Sequence, residues 1–228
     1  MTPEERRAFI VAHTTLEAAP FVAEIVLRLG GESMPLWEAA SLADERLPVP
    51  PPFWAWPWAG GQALARYVLD RRDLVRGRRV ADVGAGGAIE AIAAALAGAT
   101  EVTAIDIEPY AIEACRLNAA ANGVSIHLTE GDPVGTDDGW DAVLAGDVWY
   151  DQDLAERMGP WLRSLAARGA DVLTGDLGRA YLPAAGLETL ARYQVPTLTD
   201  LEDVTSKPAR VLQVSAAVDP SRSRPRDG

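Results

Sequence analysis

Val80-Ala81-Asp82-Val83-Gly84-Ala85-Gly86-Gly87-Ala88 is the stretch that decides the fold of this chain. Its first residues form a short apolar run that reads as a strand, its glycines form a turn, and the alanines and isoleucines that follow predict a helix over 89–96. Glycine permits the sharp turn and lets backbone amides come close to a ligand. A second strand, Val102-Thr103-Ala104-Ile105, ends in Asp106. An acid there can accept hydrogen bonds from both hydroxyls of a ribose. Strand, glycine loop, helix, strand and carboxylate together make one half of a nucleoside-binding α/β unit.

The same alternation continues downstream. Pro109 begins a helix that carries Ile112, Cys115 and Leu117 and stops at Asn122-Gly123. Ser125-Ile126-His127-Leu128-Thr129 alternates as a strand and leads to Glu130-Gly131-Asp132. Trp140 to Gly146 reads as a buried strand ending at Asp147, residues 154–167 as a helix, and Ala170 to Thr174 as a strand. Residues 187–193 look like a helix or its end. Two late β-rich segments, 193–198 and 210–216, are expected to pair as a hairpin. The fold class expected is α/β: a Rossmann-like, doubly wound, mostly parallel seven-stranded sheet with a C-terminal antiparallel hairpin and an N-terminal helical extension. Right-handed crossovers put Gly84, Asp106, Asp132 and Asp147 at strand ends on one edge, where ligands bind.

Upstream, Thr2-Pro3-Glu4-Glu5 is a helix start, with a hydroxyl cap, an early proline and acids near the positive end of the dipole. Phe9, Ile10, Phe21, Ile25, Val26 and Leu29 suggest one or two amphipathic helices before Gly30-Gly31. Pro48 to Pro52 is stiff and extended. Phe53-Trp54-Ala55-Trp56-Pro57-Trp58 follows at once, read equally as a plug docking the N-terminal arm and as an aromatic wall beside a ligand. Gly60-Gly61 opens a helix to about Arg72. Three segments are therefore expected: an N-terminal arm and aromatic linker over 1–58, the main domain over 59–218, and a polar tail, expected to be disordered, over 219–228.

Composition bounds the function. The 228 residues are 48% hydrophobic, enough for a sizeable core, and the net charge is −12. Phosphate binding needs basic patches, so an acidic chain argues against nucleic acid as the main partner. It suits a cationic substrate or a basic protein patch. Cys115 is the single cysteine, which excludes an internal disulfide, and its mid-helix place reads as packing. His13 and His127, far apart and without cysteine partners, make a poor metal site, so no metal is expected. No apolar run approaches the roughly 20 residues of a membrane span, and no signal peptide is legible, so a cytoplasmic, monomeric protein is expected.

The loop also narrows the nucleoside. A dinucleotide fingerprint has a third glycine where this chain has Ile89, and there is no phosphate-loop lysine. Asp82, two residues before the first glycine, can orient the loop and reach a cofactor amino group, and Asp132 can meet an adenine amino group. This pattern favours S-adenosylmethionine over a nicotinamide cofactor. The cofactor-binding set expected is Trp58, Asp82, Gly84, Gly86, Asp106, Ile107, Asp132 and Asp147.

Pro52-Phe53-Trp54-Ala55-Trp56-Pro57-Trp58-Ala59-Gly60-Gly61-Gln62-Ala63-Leu64-Ala65-Arg66-Tyr67 resembles the segment before the glycine loop in class I, seven-strand protein methyltransferases. Asp147-Val148-Trp149-Tyr150 matches the Asp-x-x-Tyr motif of their lysine-modifying group. Leu144-Ala145-Gly146-Asp147 and Gly175-Asp176-Leu177-Gly178-Arg179-Ala180-Tyr181-Leu182-Pro183 look most like bacterial relatives of the electron-transfer-flavoprotein β-subunit lysine methyltransferases. The resemblance spans roughly residues 50–214. One departure is Gly87-Ala88, where many relatives have a small polar residue followed by glycine. The resemblance implies an S-adenosylmethionine-dependent protein-lysine N-methyltransferase acting on the electron transfer flavoprotein β subunit. Asp147 would position the incoming ammonium and Tyr150 would close the channel and orient the nitrogen, these two being the catalytic pair. Trp149 or Trp58 would line the lysine stem. Asp176 and Arg179 are read as a pair on the surface of a turn in preference to a loop at the substrate rim, since Arg179 is a poor wall for a lysine. A small-molecule or ribosomal-protein N-methyltransferase and a non-catalytic cofactor-binding protein are the alternatives.

Overall fold

In the computed structural model, residues 1–31, 52–196 and 206–216 are described. Most of the proline run at 48–52 and the tail at 219–228 lie outside them.

The N-terminal helix α1 (Pro3–His13) starts as its sequence dictates. The Thr2 hydroxyl accepts from the Glu5 amide, the Glu5 carboxylate accepts from the Thr2 amide at 2.7 Å, and the two form a capping box. The expectation of a second amphipathic helix is corrected. Thr15–Ala19 (β1) and Val22–Leu29 (β2) form an antiparallel hairpin. Ile25, Leu27 and Leu29 are buried at a spacing of two, while the intervening residues are less covered. Phe21, Ile25 and Leu29 also fit a spacing of four, so the apolar pattern alone was ambiguous. β-branched Val22, Ile25 and Val26 and partners supplied from far along the chain decide for strand.

After a single 3₁₀ turn at Phe53–Ala55, the main unit runs α2 (Ala59–Asp70), β3 (Arg79–Val83), α3 (Ile89–Leu96), β4 (Glu101–Asp106), α4 (Pro109–Ala121), β5 (His127–Glu130), β6 (Ala142–Gly146), α5 (Gln152–Ala167), β7 (Asp171–Asp176), β8 (Leu187–Pro196) and β9 (Ser206–Val214). The seven strands from β3 onward lie in the order β5-β4-β3-β6-β7-β9-β8. Pairing is parallel except on both sides of β9. Residues 187–193, read from sequence as a helix or its end, are instead part of β8, antiparallel to β9. Leu, Glu, Ala and Arg favour helix only weakly, and the ladder with β9 outweighs that preference.

Period-two alternation divides the core into two layers. Val80, Leu144 and Leu173 face one side of the sheet, with α2, α3 and the β1–β2 hairpin. Ala81, Val143 and Val172 face the other, with α5 and the buried indoles of Trp140, Trp149 and Trp161. The chain order reverses between β3 and β6, since β4 lies on one flank of β3 and β6 on the other. A crevice outside the carboxyl ends of the strands at such a switch point is where ligands bind in open α/β sheets.

Candidate active site

The glycine loop is built by alternating backbone hand. Gly84, Gly86 and Ala88 all have positive φ, at 69°, 52° and 64°. Ala88 thus adopts a left-handed conformation that favours glycine, the residue the resemblance leads us to expect there. The amides of Gly84 and Ala85 donate to the Ile105 carbonyl at 2.9 and 3.1 Å, which ties the loop to the end of β4. Asp106 completes the tie: one carboxylate oxygen accepts from the Gly86 amide and the other from the Glu108 amide, both at 2.9 Å. Burial pushes the Asp106 carboxyl above its ordinary range, and these amides pull it back. Each oxygen still has lone-pair capacity for a hydroxyl donor. Ile107, next in sequence, is 68% exposed at the same edge.

Asp82 lies beneath the loop. One oxygen accepts from the Ala91 amide in α3 at 2.9 Å, and the other is buried without a hydrogen-bond partner. Burial, reinforced by Asp106, pushes its carboxyl up to about 7. Sequence reasoning missed two supports of the loop. The Cys115 thiol donates to the Gly86 carbonyl at 3.3 Å, and the Asn118 amide donates to the Gly87 carbonyl at 2.9 Å. Asn118 also accepts from Arg28 of β2, and Asn122 both accepts from and donates to Val26. Two asparagines at i and i+4, Asn118 on α4 and Asn122 capping its end, thus hold the hairpin strand and the loop together. That spacing in the sequence was the available signal.

The aromatic linker docks the N-terminal arm onto the main unit. Trp54 and Trp56 are buried with Ile10, Ala111 and Ala114. Trp54 stacks on Tyr110, its ring 6.2 Å away and nearly parallel, and its backbone crosses the glycine loop, 3.7 Å from where a Cβ on Gly86 would stand. Trp58 is half-buried, with its indole donating to the Phe53 carbonyl at 2.9 Å. The Phe53 ring lies 5.9 Å from both Trp58 and Tyr150. Tyr150 is 53% exposed. Trp149 is corrected: it does not line any channel, because its ring is buried in the core and its indole donates to the Thr174 hydroxyl at 2.8 Å.

Asp147 ends β6 with φ of 55° and is only 8% exposed. One of its oxygens accepts from the Gly61 amide at the start of α2, the other from the Arg179 guanidinium, both at 2.8 Å. Burial raises its carboxyl above the ordinary range, while Arg179 and then Gly61 draw it back. This approach requires glycines. A Cβ on Gly60 would stand 2.6 Å from the Asp147 carboxylate and would collide with the Gly175 carbonyl. A Cβ on Gly146 would collide with Glu90. Glu90, buried beside Asp82 and Asp147, has its carboxyl pushed well up by burial first and by those two acids second. Asp176 is also corrected. It is fully buried, not on a turn surface, and its carboxylate accepts from the Gly178 and Arg179 amides at 2.5 and 2.8 Å.

Asp132 is joined to this edge through Gly131, whose amide donates to the Asp106 carbonyl at 2.9 Å. Its side chain is exposed and paired with Arg157. A shallow depression lined by Tyr67, Asp70, Arg72, Arg78 and Asp171 lies at the opposite, amino-terminal end of the strands, away from all these groups. Among the described residues no group of three or more His, Cys, Asp and Glu is placed to hold a metal ion, and no helix is long and apolar enough to cross a membrane.

A protein of Thermoplasma acidophilum superposes with a TM-score of 0.53 at 19% identity, covering 68% of this chain and 89% of that one. A proposed RNA methyltransferase of Pyrococcus horikoshii gives 0.53 at 16% identity, covering 81% and 98%. Both establish the fold alone, a Rossmann-like α/β sheet. The family model for ribosomal protein L11 methyltransferase matches residues 62–146, the glycine-loop half, and stops one residue before Asp147. The electron transfer flavoprotein beta subunit lysine methyltransferase of Xenopus laevis is 39% identical over 204 residues, 86% of this chain and 82% of that protein. Its human counterpart is 39% identical over 187 residues, 77% and 67%. The chain belongs to the electron transfer flavoprotein beta subunit lysine methyltransferase family.

Proposed function

We propose that this protein transfers methyl groups from S-adenosylmethionine to lysine side chains of the electron transfer flavoprotein β subunit. The observation that carries the reading is the placement of Asp147 and Tyr150. They follow β6 at the switch point, and Asp147 is bonded to the first turn of α2 and is within the electrostatic reach of Glu90. The residues present fit the cofactor. Gly84 and Gly86 form a close-approach loop, Asp106 offers acceptors to a vicinal diol, Ile107 offers an exposed apolar face, and the unpartnered oxygen of Asp82 awaits a donor. When bound, S-adenosylmethionine supplies an electrophilic methyl on a sulfonium.

The chain's own groups do the rest. An aqueous lysine amine titrates at about 10.4 and must lose its proton to become a nucleophile. Asp147 accepts from the incoming ammonium through the remaining lone pairs of its carboxylate and aligns the nitrogen. Tyr150 and Phe53, exposed side by side, close over the aliphatic stem, and Trp58 forms the back of that wall. Trp58, Gly84, Gly86, Asp82, Asp106, Ile107 and Asp132 hold the cofactor. We place the reaction in the cytoplasm and read the enzyme as a monomer acting on a folded protein partner.

Intact-mass measurement of purified flavoprotein β subunit after incubation with enzyme and S-adenosylmethionine tests the reading. Increments of one methylene mass on lysines are expected. Asp147→Ala abolishes them and leaves cofactor binding by calorimetry largely intact; full retained activity in that variant overturns the assignment of Asp147.

A further inference from the structure

Arg179 is the residue in this site that the proposed reaction does not yet use. It sits just beyond β7 in the turn opened by Asp176 and reaches back to the end of β6. Its guanidinium donates to Asp147 at 2.8 Å, while its Nε lies 3.8 Å from the far oxygen of Asp176. That oxygen and that Nε are both buried and lack hydrogen-bond partners. One fixed positive charge therefore stands between two buried carboxylates at the ends of neighbouring strands, and its backbone is anchored by one of them. A surface turn needs no such arrangement.

We propose that Arg179 is a positioning residue for methyl transfer. By clamping Asp147 it keeps that carboxylate ionised and aimed, and it lowers the pH at which the incoming lysine becomes a nucleophile. This rests on the reading of Asp147 given above. The chemistry follows from charge. A bare carboxylate beside an ammonium stabilises the protonated amine and opposes the deprotonation that transfer requires. With Asp147, Asp176 and Arg179 together the local charge is one negative, which the ammonium neutralises. Without Arg179 it is two negative, so either the lysine holds its proton more tightly or Asp147 takes one up. Both changes push the working range toward alkali. The amine loses its proton to solvent, the nitrogen–methyl bond forms as the sulfur–methyl bond breaks, and Arg179 itself exchanges no proton.

The other charged or titratable groups around the pair are Glu90 from α3, Tyr150 from the turn after β6, and Arg210 from β9, whose guanidinium lies beside Gly178. Asp106 and Asp151 act on Tyr150. Glu90 carries the same sign as Asp147 when ionised, so it adds to the need for Arg179 and cannot replace it. Arg210 contacts the turn on the side of Gly178, and no bond joins it to Asp147.

The test compares Arg179→Gln and Arg179→Lys with the native enzyme. Carbon-13 NMR of labelled aspartate carboxyls, with Asp147 assigned through Asp147→Asn, follows its titration without any substrate. The pH profile of kcat/KM for methylation of the flavoprotein β subunit follows its effect on the reaction. In Arg179→Gln the Asp147 titration and the rising limb of the profile are expected to move up by about one pH unit, with activity near neutrality down about tenfold. Arg179→Lys, which keeps charge but not the two-sided fork, is expected to recover most of the shift, and the uncharged Arg179→Met carries the same test if the glutamine variant does not fold. An unmoved Asp147 titration, or a loss of rate equal at every pH, overturns the proposal. If the native enzyme leaves the flavoprotein unmodified while the Asp147 titration still moves in Arg179→Gln, the clamp stands and the substrate reading fails.

Discussion

Asp147 concentrates the physical tension of this site. A carboxylate at the end of a buried strand loses hydration, and the chain compensates it with one amide and one guanidinium drawn from elements far away in sequence. The position of Asp147 was legible, because a strand followed by an acid puts that acid at the ligand-binding edge. Its partner Arg179 was not, since a side-chain contact between two loops leaves no mark in periodicity, and charge alone made Arg179 a poor neighbour for a lysine. Asp82 gives a second prediction at this scale. The folded protein holds its proton up to about 7, whereas the unfolded chain releases it at about pH 3.9. Between those limits the folded state binds more protons, so this group's contribution to stability is full below the lower limit and is lost as pH rises through the upper one. Its slope is at most about 1.4 kcal/mol per pH unit. Asp82→Asn should therefore flatten the fall in urea midpoint across that window in the cofactor-free protein, leaving the parts due to the other raised carboxyls, Glu90, Asp106, Glu108 and Asp147.

At the scale of elements, local chemistry and tertiary partners divide the outcome. The helices α4 and α5 begin where the capping carboxylates of Glu108 and Asp151 put them. α4 starts at Pro109 because Glu108 accepts from the Tyr110 and Ala111 amides at 3.0 and 2.9 Å. Glu108→Ala should cost about 1 kcal/mol, read as a lower urea midpoint with unchanged slope, and should loosen the turn that Asp106 shares. The N-terminal hairpin and β8 behaved differently. Their side chains suit either a helix or a strand, and what settled them was an available edge. β2 is gripped by Asn118 and Asn122, and β8 pairs along β9 from Leu187 to Pro196. The C-terminal pairing itself was legible from two β-rich segments; its full length was not.

Across the whole molecule, the N-terminal arm is not an appendage. Val22, Ile25, Leu27 and Leu29 share a core with α2 and α3, and the Gly30 amide donates to the Ala55 carbonyl at 3.0 Å. The arm also holds the glycine loop through Asn118 and Trp54. Ile25→Ala, at a position with no exposed surface, should cost about 2–5 kcal/mol. Because the hairpin and the sheet share that core, unfolding should remain one transition; a separate early transition assigned to the hairpin would refute the shared core.

By itself, the run from Val80 to Ala88 determined the glycine loop and the strand and helix that flank it. These depend on contacts between near neighbours and on backbone conformations that only a few residues accept. Asp106 and Asp147 could be placed for the same reason, as strand-end residues. Only the tertiary structure decided that Ala88 adopts the left-handed turn, that Trp149 belongs to the core, that Thr15 to Leu29 form a hairpin, and that Arg179 closes on Asp147. Each of those outcomes is fixed by which surfaces meet after the chain has folded, a quantity set by packing and charge across the sheet and not by any local pattern.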